Sequence, residues 1–213
     1  MKIALFGATG HLGQGILDEA LSRGYGVVAI ARDPSRLTRR NDKLKVVTGA
    51  VTQPASWLDA VRGVDAMVAS LSARRDGNPD SVPANARVLL DNLPKAGVKR
   101  LLWVGGAGSL ETAPGVKVID SPNFPAEWKP EAMAQGKALD VFRASKAAVE
   151  WTYISPAALI EDGTRSGIYR VGGEQLLVDA NGTSRITVAD YAAALLDRVE
   201  KHDALNQRIT VAY

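Results

Sequence analysis

Apolar residues along this chain fall into short unbroken runs separated by longer stretches of helical spacing. Ile3–Phe6 is such a run and stops at glycine; Val27–Ala31 is a second, followed by Asp33-Pro34. Both predict buried strands. Between them Leu12, Ile16, Leu17, Ala20 and Leu21 recur at three- and four-residue intervals up to Gly24, which predicts a helix that ends there. The resulting strand-helix-strand unit has the length of a parallel pair joined by a right-handed crossover. The alternation continues with a strand at Lys45–Thr48, a short helix at Ala55–Val61, a strand at Ala66–Ser70, a helix at Ala84–Lys95 and a strand at Arg100–Val104. Because the runs are continuous rather than alternating, they suit a mainly parallel sheet covered by helices on both faces.

Residues 105 to 130 interrupt the rhythm. Gly105-Gly106, Pro114-Gly115, Pro122, Pro125 and Pro130 predict a long loop, and such loops inside compact domains usually serve function. A helix over Glu131–Val149 and a strand over Trp151–Ile154 follow. Asn181-Gly182 between Leu176–Val178 and Arg185–Thr187 predicts a small C-terminal hairpin, Thr187 to Asp190 opens a last helix as a capping box, and Arg208–Ala212 reads as a closing strand. The expectation is one α/β domain over residues 1–213, doubly wound, with residues 155–213 completing a substrate cleft.

Composition narrows the chemistry. There is no cysteine, which removes disulfides, thiolate metal sites and thiol nucleophiles, and His11 and His202 alone make no metal site. The N-terminus lacks a signal-peptide pattern and no window holds the roughly 18 apolar residues of a membrane helix. A cytoplasmic protein without membrane association is expected. The formal charge of +3 suits a phosphate-bearing small ligand, and the basic stretch Arg32–Lys45 is broken by acids and lacks aromatics for base stacking, so no nucleic-acid partner is expected.

Gly7-Ala8-Thr9-Gly10-His11-Leu12-Gly13 stands directly after the first strand and opens the first helix. Gly7 permits a sharp turn, Gly10 admits a pyrophosphate against bare backbone, and Gly13 lets the helix pack close to the strand. Free N–H groups of the first turn would then bind the anion, which predicts a dinucleotide site on a Rossmann-type sheet with Thr9, His11 and Leu12 among the contacts. The second strand ends Ala31-Arg32-Asp33-Pro34-Ser35-Arg36. An acid at that terminus would favour a ribose 2′-hydroxyl; Arg32 there, with Ser35 and Arg36 in the turn, favours a 2′-phosphate instead. NADP(H) is therefore expected ahead of NAD(H), the alternative.

The Gly7–Gly13 loop, Ala31-Arg32-Asp33, the run Val104-Gly105-Gly106-Ala107-Gly108-Ser109-Leu110, Trp151–Ala157, Tyr169-Arg170 and Asp190-Tyr191-Ala192 together resemble the atypical short-chain dehydrogenases. Within them the chain is similar to NAD(P)H-binding proteins of the NADH-flavin reductase type, relatives of biliverdin IXβ/flavin reductase and of NmrA-like proteins. The resemblance implies a nicotinamide beyond the carboxyl ends of the fourth to sixth strands, near Ser70, Leu71, Gly105, Gly106, Ala107, Pro156 and Ala157. It also places Ser109 where those enzymes keep a catalytic serine, although a turn-capping serine reads equally well. Two departures stand out. Gly49 is followed by Ala50-Val51 rather than by an acid at the adenine pocket, and the family's Tyr-x-x-x-Lys pair is missing, with no tyrosine at all in Glu131–Val149.

Ketone reduction leaves an alkoxide that needs a tuned proton donor, and Lys137 and Lys146 read more simply as solvated helical lysines. A flavin, quinone or similar conjugated acceptor relaxes that demand, since its ring spreads the charge. The expectation is an NAD(P)H-dependent reductase of such an acceptor, monomer or homodimer, with Phe124 or Trp128 of the long loop either stacking on a ring or simply packing. A non-catalytic redox-sensing regulator is the alternative; a nucleotide-sugar epimerase or dehydratase ranks last.

Overall fold

The computed structural model describes residues 1–74 and 77–213. Its strands are β1 (Lys2–Phe6), β2 (Gly26–Ala31), β3 (Leu44–Thr48), β4 (Ala66–Ala69), β5 (Arg100–Val104), β6 (Glu111–Ala113), β7 (Val116–Lys117), β8 (Glu150–Ser155), β9 (Leu159–Glu161), β10 (Arg170–Gly172), β11 (Arg185–Thr187) and β12 (Gln207–Ala212). The helices are α1 (His11–Ser22), α2 (Ser81–Asn92), α3 (Lys129–Ala144) and α4 (Val188–Lys201). Eight strands form one sheet in the order β10-β12-β8-β5-β4-β1-β2-β3, parallel except where β10 meets β12. This is the doubly wound, mainly parallel Rossmann-type α/β fold, and its strand order reverses between β1 and β4.

The continuous apolar runs are explained by burial on both sides. Ile3, Leu5, Val27 and Ala29 face α1 and α4, while Ala4, Phe6, Val28 and Ile30 face the layer with Trp57, Trp103 and Phe142, on which α2 and α3 pack. α1 buries Ile16, Leu17, Ala20 and Leu21 on its inner stripe. It stops where Gly24 turns left-handed at φ +77°, with the Tyr25 N–H bonded to the Ala20 carbonyl and the Gly24 N–H to that of Leu21. β3, at the sheet edge, is far more exposed than the inner strands.

Several elements differ from expectation. The predicted helix Ala55–Val61 is two single 3-10 turns, Pro54–Ser56 and Asp59–Val61. Trp57 interrupts it, because its ring is buried edge-on against Phe6 at 5.5 Å and its Nε1 donates to the Val51 carbonyl. α2 starts at Ser81 and gives way at Leu93-Pro94 to a 3-10 turn. α3 runs Lys129–Ala144 rather than Glu131–Val149. Pro130 is tolerated in its first turn, and Ser145 leaves the helix in an extended conformation, so Lys146 is not helical. The segment 105–130 is more ordered than a loop, with β6 and β7 joined through Pro114 and Gly115, the latter at φ +75°.

The C-terminal hairpin is corrected too. Its turn exists, with the Asp179 carboxylate accepting from the N–H groups of Asn181 and Thr183, but Arg185–Thr187 pairs parallel with β9 instead of returning on Leu176–Val178. Burial decides: Ile186 enters the α1–α4 core. Among the described residues no helix is long and apolar enough to cross a membrane.

Candidate cofactor cleft

At the carboxyl end of β1 the backbone comes unusually close to its neighbours. Gly7 has φ +84°, and a Cβ there would stand 1.9 Å from the Ser70 carbonyl oxygen at the end of β4. A Cβ on Gly13 would stand 1.9 Å from the Gly7 oxygen. These two glycines let the turn and α1 nest against the sheet at the point where strand order reverses. Gly10 differs: a Cβ there would meet only the Gly7 oxygen, at 3.3 Å. Its bareness is not required by packing. Gly10 caps α1 without a side-chain cap, and its carbonyl accepts from the Gln14 N–H at 2.9 Å. The N–H groups of His11, Leu12 and Gly13 occupy the first-turn positions that have no intrahelical acceptor. A diphosphate fits this cradle in shape and in sign.

Around the cradle, Leu12 packs partly into the α1–α4 core and the Thr9 carbonyl faces the Gln14 amide. His11 is exposed, with Nε2 3.4 Å from Oδ1 of Asp162 in the stretch after β9. At the end of β2, Arg32 and Arg36 are both exposed. Asp33 caps the Pro34–Arg36 turn, accepting from the Ser35 N–H at 3.1 Å and from its hydroxyl at 2.5 Å. The Ser35 hydroxyl is thus a local turn group, which leaves the two arginines as the cationic donors there. In the neighbouring β3 loop Val51 is buried and the Ala50 N–H faces Ser56 Oγ at 3.3 Å.

The turn after β5 has an internal explanation. The Gly105 N–H donates to the Ile154 carbonyl and the Gly106 N–H to the Tyr153 hydroxyl at 3.1 Å. A Cβ on Gly105 would lie 2.1 Å from the Tyr153 ring, one on Gly106 3.2 Å from Gln135, and one on Gly108 2.7 Å from Ala132. The glycine-rich run is bare so that α3 and Tyr153 can press against it. The N–H groups of Gly105 and Gly106 are both engaged within the protein, and the space beside their α-carbons is filled by Tyr153 and Gln135. Pro156 and Ala157, just past β8, are both buried, and Ala157 joins the α1–α4 core.

Behind this turn lies a buried polar hub not anticipated from sequence. Gln135 Oε1 accepts from Trp103 Nε1 at 3.0 Å, and its Nε2 donates to the Leu71 carbonyl at 2.9 Å and to Glu131 Oε1 at 3.0 Å. Glu131 Oε2 accepts from the Ala73 N–H at 2.9 Å. Glu131 and Gln135, four residues apart, thus tie the segment after Ser70 to α3. The Tyr153 hydroxyl donates to the Gln135 carbonyl at 2.9 Å, and burial pushes it well above the usual tyrosine range. Its proton is committed to the Gln135 carbonyl and the side chain is fully buried.

Ser109 packs by Gly136 of α3, and its hydroxyl accepts from Nη1 of the buried Arg208 at 3.0 Å. Nη2 of Arg208 meets Glu174, which also pairs with Arg143 at 2.7 Å. Burial alone would raise the Glu174 carboxyl, but the hydrogen bonds from Arg208 and Arg143 hold it below its ordinary value. Lys137 is exposed beside Asp80, Trp128 is exposed and Phe124 half-buried.

A second missed residue is Asp190. Fully buried at the start of α4, it accepts from the N–H groups of Ser166 and Gly167, from the Ser166 hydroxyl at 2.7 Å and from the Tyr213 hydroxyl at 2.5 Å. The segment it anchors carries Asp162, which faces His11, and Arg165, 3.4 Å from Glu19 of α1. The capping box at Thr187 was the sequence signal for helix entry, yet it did not reveal this second role.

Known proteins match this arrangement along nearly all its length. The model of the NAD(P)H-binding family covers residues 7–198. The Bacillus subtilis protein YwnB is 36% identical over 99% of this chain and 98% of its own. A solved structure from Bacteroides thetaiotaomicron, described as a "putative epimerase", is 37% identical with a TM-score of 0.90 over 100% of this chain and 96% of that one. Another, the "putative NADH-flavin reductase" of Streptococcus pneumoniae, is 32% identical with a TM-score of 0.83 over 100% and 99%. With its glycine cradle inside the matched span, the chain belongs to the NAD(P)H-binding family and has an oxidoreductase-like Rossmann fold.

Proposed function

We propose that this protein is an NAD(P)H-dependent reductase that passes hydride to a flavin, a quinone or a similar conjugated acceptor, with NADPH preferred. The observation that carries the reading is the state of Tyr153. The tyrosine bonded to the Gly105–Gly106 turn is fully buried, its hydroxyl engaged by the Gly106 N–H and the Gln135 carbonyl. Chemistry that needs a titrating hydroxyl is poorly served by it, whereas an acceptor whose ring delocalises charge takes its proton from water.

In this reading Gly7, Gly10 and Gly13 and the first turn of α1 hold the diphosphate, and Arg32 and Arg36 bind the 2′-phosphate. When bound, the reduced nicotinamide supplies hydride. The chain's part is to orient and to exclude: Ser70, Leu71, Gly105, Gly106, Pro156 and Ala157 wall the cleft, residues 155–213 complete it, and Ser109 keeps a hydroxyl proton to donate. The protein works in the cytoplasm as a monomer or homodimer, where reduced nicotinamide is supplied.

Calorimetric titration with NADPH and NADH, followed by NADPH oxidation in the presence of riboflavin, FMN and menadione, tests the reading. Stimulation by at least one acceptor is expected. Tight NADPH binding with every acceptor silent would favour the regulator, which the internal bonding of the Gly105–Gly106 turn also accommodates. An epimerase, the description carried by the Bacteroides structure, is disfavoured by the same locked tyrosine.

A further inference from the structure

On the sheet face that α3 covers, four side chains of β8 and β12 stand together. Tyr153 is in register with Arg208, and Ser155 with Thr210. Residues two apart on a strand share a face, so the bond from Tyr153 to Gln135 places all four on the α3 side. Ser155 and Thr210 are 0% exposed and the Arg208 side chain 2%. Even so, Ser155 Oγ, Thr210 Oγ1 and Arg208 Nε have no hydrogen-bond partner among the described residues. An unpaired buried polar group loses its bonds to water and gains none in return. Three on adjoining residues are not what an indifferent core would keep, since alanine and valine would fill the same space.

The rest of the Arg208 guanidinium links this cluster to less buried side chains. Nη1 reaches Ser109, which is half-buried, and Nη2 reaches Glu174, whose side chain is 48% exposed. Two guanidiniums, Arg208 and Arg143, share the one Glu174 carboxylate, so the group is net positive. Ser109 accepts from Arg208 and its own proton stays available.

We propose that Ser155, Thr210, Arg208 and Ser109 form a subsite for a carbonyl oxygen of the acceptor. Three hydroxyl donors beside a buried cation suit an oxygen that carries or gains negative charge, and not an amine or a cation. The inference rests on the reductase reading and narrows its substrate class to conjugated carbonyls such as quinones and the pyrimidinedione edge of a flavin.

The test compares S155A, T210V, the double variant S155A/T210V and the hydroxyl-keeping T210S with the unaltered protein. Riboflavin binding is followed by fluorescence quenching and menadione binding by calorimetry, both with NADP⁺ present. The double variant should weaken both by about tenfold, the loss of roughly one well-made hydrogen bond. T210S should bind as the unaltered protein does, NADPH affinity should stay within about twofold, and the melting temperature should not fall, because no bonded group has been removed. Equal affinities in the double variant, or failure of both probes to bind the unaltered protein, would overturn the subsite. Binding without any NADPH oxidation would instead overturn the reductase reading and leave the subsite standing.

Discussion

The carbonyl oxygen of Gly7 lies 1.9 Å from where a Cβ of Gly13 would be, and only the absence of that carbon lets α1 start against β1. Gly13→Ala should therefore displace the helix and lower both stability and NADPH affinity. Gly10→Ala makes the sharper test, because its added carbon meets a single atom at 3.3 Å. Its melting temperature should change by no more than about 2–4 °C. NADPH affinity should fall at least about tenfold, since the methyl occupies the anion's approach. Unchanged calorimetric affinity would remove the diphosphate from this loop.

In the proposed reading cofactor choice rests on the end of β2, where Ser35 is engaged by Asp33 and Arg32 and Arg36 are exposed. Arg36→Ala should raise the NADPH dissociation constant about tenfold and leave NADH within about twofold, as expected for one charge-assisted phosphate contact. Equal losses for both nucleotides would assign Arg36 some other role.

Tyr153→Phe deletes one hydroxyl that accepts from Gly106 and donates to Gln135. The half-buried Gly106 N–H then loses its acceptor, at a cost of about 1–3 kcal/mol, or a melting temperature lower by about 2–4 °C for each kcal/mol. Acceptor turnover should survive at neutral pH with an unaltered pH profile. A lost acidic or basic limb in the profile would show that Tyr153 titrates during catalysis after all.

Asp190 predicts a particular acid sensitivity. Burial alone would raise its carboxyl, but the bonds from Tyr213, Ser166 and Gly167 outweigh it and hold the value below the ordinary one. The folded state thus binds this proton less readily than the unfolded chain. The stabilisation is complete above the ordinary carboxylate range near about 4 and disappears as pH falls through the lower folded value. Asp190→Asn should melt lower at neutral pH, with a shallower further decline on acidification than the unaltered protein. Parallel acid-melting curves for the two would reject this assignment.

Much of the fold was legible because it depends on local periodicity. The buried runs Ile3–Phe6, Val27–Ala31 and Arg100–Val104 have no exposed face to reward alternation, so their pattern betrays parallel pairing directly. The glycine cradle was legible for a related reason: its turn, bare approach and close helix are all set within seven consecutive residues. What stayed hidden depends on register between distant segments. Nothing near Arg185–Thr187 announces that it pairs with Leu159–Glu161, and Ser109 lies 99 positions from the Arg208 that holds it. The Gly105-Gly106 pair is a different case. Its spacing suits a ligand, and its bareness also makes room for Tyr153 and Gln135.

Strand β12 sits between β10 and β8, inside the sheet and not at its rim. Synthesis on the ribosome runs from the N- to the C-terminal side, so β8 must wait with an open edge until residues 207–212 emerge. During that interval β1 to β5 can already be assembled, while Asp190 still lacks Tyr213 and Ser109 still lacks Arg208. The β8 and β12 halves of the proposed acceptor pocket therefore mature together, once residues 207–212 have joined the sheet.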